Sequence, residues 1–203
     1  MPAYRSCLAV VAALVLATGA WSQDAETARR LQADGQYDQA LVIWERLMAG
    51  EATYDHVMGV AACLFDMGEH SRSDSLFVNA ARLAPSRHEP IMYQALILEQ
   101  RGRVAKARGD NGTTDLVDAA ILFRDAAEKS ESPYELHFWA AECRAFAGDL
   151  DGAIVEGQSA LAARPGDVHA GSLLTRLFAA SGRLVEAVTQ ANAVLGRHPG
   201  DIM

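Results

Sequence analysis

The sequence predicts an all-α chain of repeated helix–turn–helix units, and three observations predict it. Alanine, the best helix former, supplies 38 of the 203 residues. Glycine opens a polar turn at a near-constant interval: Gly35 (GQYDQAL), Gly68 (GEHSRSD), Gly102 (GRV), Gly148 (GDLDGAI) and Gly182 (GRLVEAV). The spacings are 33, 34, 46 and 34, and the long one is 34 plus a single 12-residue insertion. Proline keeps the same period, with Pro165 and Pro199 34 apart and Pro85 in the matching place of an earlier unit.

The first element is an address. Residues 1–22 read as a secretory signal: one basic residue, Arg5, then an apolar run from Cys7 to Ala17, then small residues. Ala20-Trp21-Ser22 fits cleavage before Gln23, with cleavage after Ala20 as the second choice. The run is shorter than the roughly 20 residues a bilayer span needs. Cys7 opens the apolar run rather than following it, so no lipid anchor is expected. The expected destination is periplasmic or secreted, with no transmembrane segment left after signal removal.

Removing 1–22 removes Arg5 and no acid, so the formal charge moves from −8 to −9. An acidic chain cannot neutralise phosphates, which excludes nucleic acid as a partner class. An anionic membrane surface is disfavoured on the same ground. The 50% hydrophobic content excludes a disordered acidic tail.

The remaining chain divides into units of about 21–53, 54–87, 88–133, 134–167 and 168–201. Each holds two helical patterns. The first ends at the glycine, where a left-handed cap is free of strain. The second ends near the proline, which cannot continue a helix. In the second unit Val57, Val60, Ala61 and Leu64 fall at i, i+3, i+4 and i+7, one face of a helix. Phe77, Ala80 and Ala81 continue the pattern on its partner. In the last unit Leu174 and Phe178 mark the first helix, and Ala187, Val188, Ala191, Val194 and Leu195 the second. Small residues recur where helices must approach closely: Ala28, Ala61, Ala95 and Ala141, then Ala40, Ser73, Ala119, Ala153 and Ala187.

A 34-residue helix pair with Gly, Ala, aromatic, Ala and Pro at these places resembles the tetratricopeptide repeat. The resemblance covers nearly all of the mature chain. It implies a right-handed superhelical solenoid of about five such repeats, stabilised by stacking of neighbours. Two positions depart from the pattern. Gly157 stands where Trp44, Phe77 and Phe123 stand in other units, and Arg144 replaces an apolar residue. Looser packing is expected around the fourth unit.

The resemblance also implies a concave groove lined by the first helices. Its candidate residues are Asp55, Met58, Phe65 and Asp66, then Glu89, Met92 and Glu99, then Glu135, Phe138, Glu142 and Phe146. Relatives that grip carboxylates do so with Lys and Asn on this face. Here Met, Phe and acids take those places. Methionine adapts to varied apolar ligands, and carboxylates favour a basic partner. The expected function is a non-catalytic adaptor that binds an apolar, basic peptide or protein segment. The alternative is a self-assembling envelope component.

The insertion extends the first helix of the third unit through RGRVAKAR and then turns at GDNGTT, with Thr114 or Asp115 as the expected cap of the next helix. Arg101, Arg103, Lys106 and Arg108 make it a basic protrusion, either a second contact surface or a longer solvated hairpin. No polar capping helix follows the fifth unit, so Val188, Val194 or Leu195 are expected to be partly exposed. A homo-oligomer through the C-terminal repeat would cover them. Cys63 and Cys143 lie two units apart, too far for a disulfide, and read as small buried residues. No catalytic or metal-binding motif appears, so no catalytic residue, cofactor or metal is expected.

Overall fold

The computed structural model describes residues 22–197, so residues 1–21 of the expected signal and the repeat's last proline, Pro199, lie outside them. The described residues form ten helices. They are α1 (22–33), α2 (Tyr37–Gly50), α3 (Tyr54–Asp66), α4 (His70–Leu83), α5 (Glu89–Ala107), α6 (Thr113–Ala127), α7 (Tyr134–Ala147), α8 (Leu150–Ala163), α9 (Val168–Ala180) and α10 (Leu184–Arg197). Two compact units divide between Ala84 and Pro85.

One local device closes helix after helix. At Gly68 the φ angle is +81°, and the next amide, Glu69 N–H, donates to Leu64 O at 2.8 Å. The glycine's own N–H donates to Phe65 O. This pair of bonds satisfies carbonyls that a helix end leaves open. The same pair recurs after α1, α5, α7 and α9 at Gly35, Gly109, Gly148 and Gly182.

In the first unit, α1 to α4 close around Trp44, Leu47, Val60, Cys63 and Leu64. The indole Nε1 of Trp44 donates to Gln32 Oε1 at 2.8 Å, which satisfies its one buried polar group. Gly59 faces that ring, and a Cβ there would collide with it. Phe77 is fully buried and meets Phe65 edge-on.

In the second unit, Leu116, Ala119, Ala120, Phe123 and Cys143 form one cluster, and Ala141, Ile154, Leu173, Leu174, Leu177 and Phe178 form another. All nine small residues singled out in the sequence are buried. Helices pack 8–10 Å apart only when the side chains between them allow it.

The fourth helix pair packs without the expected looseness. Gly157 leaves room that Leu174 fills, since a Cβ would sit 3.0 Å from its methyl group. Arg144 is held by charge instead of apolar contact. It donates to Asp149 Oδ2 at 2.6 Å and lies 4.0 Å from Glu156 Oε1. Glu156, almost wholly buried on α8, also meets His137 Nδ1 at 2.9 Å.

The expected cap of α6 is corrected. Neither Thr114 nor Asp115 caps it; Gly112 occupies the N-cap position. Asn111 Oδ1 accepts from Thr113 N–H instead, and Asp115 is drawn away by Arg101, whose Nε donates to it at 2.6 Å. Gly102 keeps the repeat's glycine position but makes no turn, because α5 runs through it to Ala107. It remains small because a Cβ would sit 2.8 Å from Leu116 and 2.9 Å from Gly112 O.

Two stability outcomes are expected. Gly59→Ala forces the Trp44 ring aside and lowers unfolding free energy by about 1–3 kcal/mol. Glu156→Ala takes the carboxylate from His137 and leaves Arg144 with Asp149 alone, and lowers it by about 1–3 kcal/mol. Urea unfolding followed by circular dichroism measures both.

Candidate functional site

The first helix of each pair in the second unit, α5, α7 and α9, contributes to one lined face. Two depressions mark it. The larger lies between the N-terminal ends of α5 and α7 and has a volume of about 550 Å³. Met92, Leu136 and Trp139 supply its apolar wall, and Arg87, His88, Glu89, Lys129, Glu131 and Glu135 its charged lining. Ser86, Ser130 and Ser132 complete it. The smaller, about 270 Å³, lies between the C-terminal ends of α7 and α9. Ala145, Phe146, Leu150, Leu173, Leu177 and Ala180 line it, with Glu142 and Arg176 as its charged groups.

The structure therefore brings Glu89, Met92 and Glu135 together in the first depression, and Glu142 and Phe146 in the second. Phe146 is 50% exposed. Glu99, on α5, lines neither. Phe138 is half-buried, stacked on Tyr134 at 6.1 Å and packed against the core. Asp55, Met58, Phe65 and Asp66 all lie on α3 in the first unit. Phe65 there is engaged by Phe77 and His70.

Trp139, Leu136 and Glu131 are lining residues that the sequence reading missed, and Trp139 is the largest of them. The signal was present: Glu135, Trp139, Glu142 and Phe146 follow at intervals of four, three and four, one helix face. Phe138, named on the same helix, lines neither depression.

Most of the face's carboxylates are already paired. Arg87 hydrogen-bonds Glu89 and holds its carboxyl below the usual range. Arg164, at the end of α8, reaches Glu135 at 2.7 Å and lowers it likewise. Arg103 donates to Glu99 at 2.8 Å and lies 3.9 Å from Glu142. Its guanidinium also sits 4.1 Å from the Phe146 ring centre, over the ring face. Asp55 lies 3.7 Å from Arg29. Asp66 differs: partial desolvation raises its carboxyl.

The basic insertion is largely tied to the protein itself. Arg101 binds Asp115, Arg103 binds as above, and Lys106 Nζ donates to Phe146 O at 2.6 Å. The insertion therefore fixes the C-terminal end of α7. Cys63 and Cys143 are buried and unbridged, and burial pushes both thiols up to about 12, so neither is a ready nucleophile. Among the described residues no group of three or more His, Cys, Asp or Glu is placed to hold a metal ion. No described helix is long and apolar enough to cross a membrane.

The paired carboxylates set the acid response. Asp149, which accepts from Gly152 N–H and Arg144, is held below its ordinary 3.8, and Asp115 is held there by Arg101. Glu89 and Glu135 are held below 4.5. A lowered native pKa adds stability that is complete above the unfolded value and is lost as pH falls through the native one. The urea midpoint is expected to stay level from pH 7 to about 5 and to fall below about pH 4. Asp149→Asn should make that fall shallower.

No protein-family model and no curated protein matches the chain. Solved structures do. A MamA from Desulfovibrio magneticus RS-1 superposes with a TM-score of 0.70 at 11% identity, over 90% of this chain and 97% of that one. MamA AMB-1 gives 0.68 at 18% identity, over 89% and 92%. A thermophilic TPR protein of Thermus thermophilus gives 0.59 at 23% identity, over 90% and 93%. At these identities the likeness concerns architecture. Together with the glycine-capped helix pairs, it establishes that the chain has the tetratricopeptide-repeat fold.

Proposed function

We propose that the protein is an exported, non-catalytic adaptor that holds a protein or peptide segment against the face formed by α5, α7 and α9. The depression between α5 and α7 carries this reading. Met92, Leu136 and Trp139 give it an apolar wall, and its rim is charged. That combination of an aromatic anchor site and a polar edge is what protein interfaces use. The second depression, at Phe146, provides a further apolar contact along the same face.

The segment is apolar with basic residues. Glu131 lines the larger depression beside Lys129, so the preference for basic residues rests on the field of the whole chain, whose formal charge is −8. Because Glu89, Glu99 and Glu135 are already paired, burial of apolar side chains supplies most of the affinity. Charge governs the approach and its salt dependence. A second reading, self-assembly as an envelope component, draws support from the uncovered apolar side of α10, where Val185 and Val188 are among the most exposed apolar residues described.

A paired pull-down from native envelope extract tests the adaptor. The bait is the wild-type chain or a Met92→Asp, Phe146→Asp variant whose helicity is confirmed first. A partner retained by wild type and lost by the folded variant is the expected result. Equal recovery with both would overturn the assignment of this face. Charge reversal at Glu131 is expected to weaken binding by a few-fold at low salt and much less at high salt.

A further inference from the structure

We propose that the outer side of α10 binds a second copy of this chain, the two α10 helices packing antiparallel about a two-fold axis. The inference rests on the self-assembly reading and is independent of what the α5–α7–α9 face binds. Leu184, Val188 and Leu195 are 64%, 61% and 46% exposed, and Val185 beside them is 79% exposed. Leu184, Val188, Ala191 and Leu195 follow at intervals of four, three and four, the spacing of a coiled-coil seam.

The repeat itself shows what such a seam does when a neighbour is present. The residues 34 positions earlier are Leu150, Ile154, Gly157 and Leu161 on α8. Ile154 is buried among Leu173, Leu174 and Leu177 of α9, and Leu150 and Leu161 pack on the same cluster. Gly157 lies against Leu174. On α10 the equivalent residues remain largely uncovered.

Three features select a second copy as the cover. The interval pattern reads the same in both directions. An antiparallel pair therefore sets Leu184 of each copy against Leu195 of the other, and Val188 against Ala191. Large residues meet at the ends, and large meets small in the middle.

Second, no residue from Ala187 to Gly196 is charged, so two acidic chains can approach there without like charges facing each other. The nearest acid, Glu186, is held by Arg183 at 2.9 Å. Third, head-to-tail stacking is disfavoured, because α1 turns Glu26 and Arg30 outward and would place charge on the seam. The exposed apolar residues offer about 400 Å² per copy, or about 800 Å² for a pair, so the dimer is weak and depends on concentration.

Sedimentation velocity of the purified full chain across the micromolar range tests this. The expected result is a monomer–dimer shift that Val188→Glu weakens by at least about tenfold in Kd. Ala193→Glu, an exposed position on the opposite side of α10, should leave it unchanged. Circular dichroism confirms that both variants fold. A dimer that survives Val188→Glu would keep self-assembly and overturn the seam, as would equal loss in both variants. A strict monomer at every concentration would overturn self-assembly itself and leave the seam to a helix of another protein.

Discussion

Close approach between helices is the constraint on which the rest of this structure depends. A two-helix unit has too little apolar surface to be stable alone, so each pair must bring its neighbour near. The small residues set that distance. Where Gly59 lies under Trp44, the whole indole becomes core. Where Gly157 lies under Leu174, a residue from the next pair fills the space that an aromatic occupies elsewhere. The same spacing leaves shallow depressions between successive first helices, and the two described on the α5–α7–α9 face are of this kind. Packing and binding surface thus share one geometric cause.

Charge is arranged differently from hydrophobic contact. Some acids of the lined face pair locally, Glu89 with Arg87 and Glu99 with Arg103, while others find their partners far along the chain. Arg164 reaches Glu135 across 29 residues, and Arg103 of the insertion takes Glu99 and approaches Glu142. Such exposed pairs add little stability each. Their larger effect is to fix side-chain positions along the face, so that a partner meets an ordered rim.

Much of the fold was legible in the sequence, because its signals are local and repeated. A glycine every 34 residues gives the turn, and alanine, aromatic and proline positions give the faces and ends. The candidate face was legible by helix and in part by side chain: Glu89, Met92, Glu135, Glu142 and Phe146 line its depressions, and Phe138 does not. Phe138 and Trp139 are adjacent aromatics, and the sequence does not show which of the two lines the depression. The cap of α6 failed for a related reason: Asp115 suits a cap by type, but Arg101, fourteen residues away, binds it first. Nor could periodicity show that Arg144 would find Asp149 and Glu156, because the departure from the apolar pattern is compensated on another helix.

The lengthened α5 makes its helix pair unlike the others. Its 19 residues exceed the 13–15 of the following helices, and the added turns are bonded through Lys106 and Arg103 to the backbone and ring of Phe146. The pairs of a uniform array are interchangeable, so copies can be duplicated, deleted or reordered while the joints still match. Here one joint is keyed. Transplanting α5 and α6 elsewhere would leave Lys106 and Arg103 without their seat, and another pair in their place would leave the end of α7 unbraced. In this half of the chain, that joint distinguishes one neighbour from another where the repeat pattern alone does not.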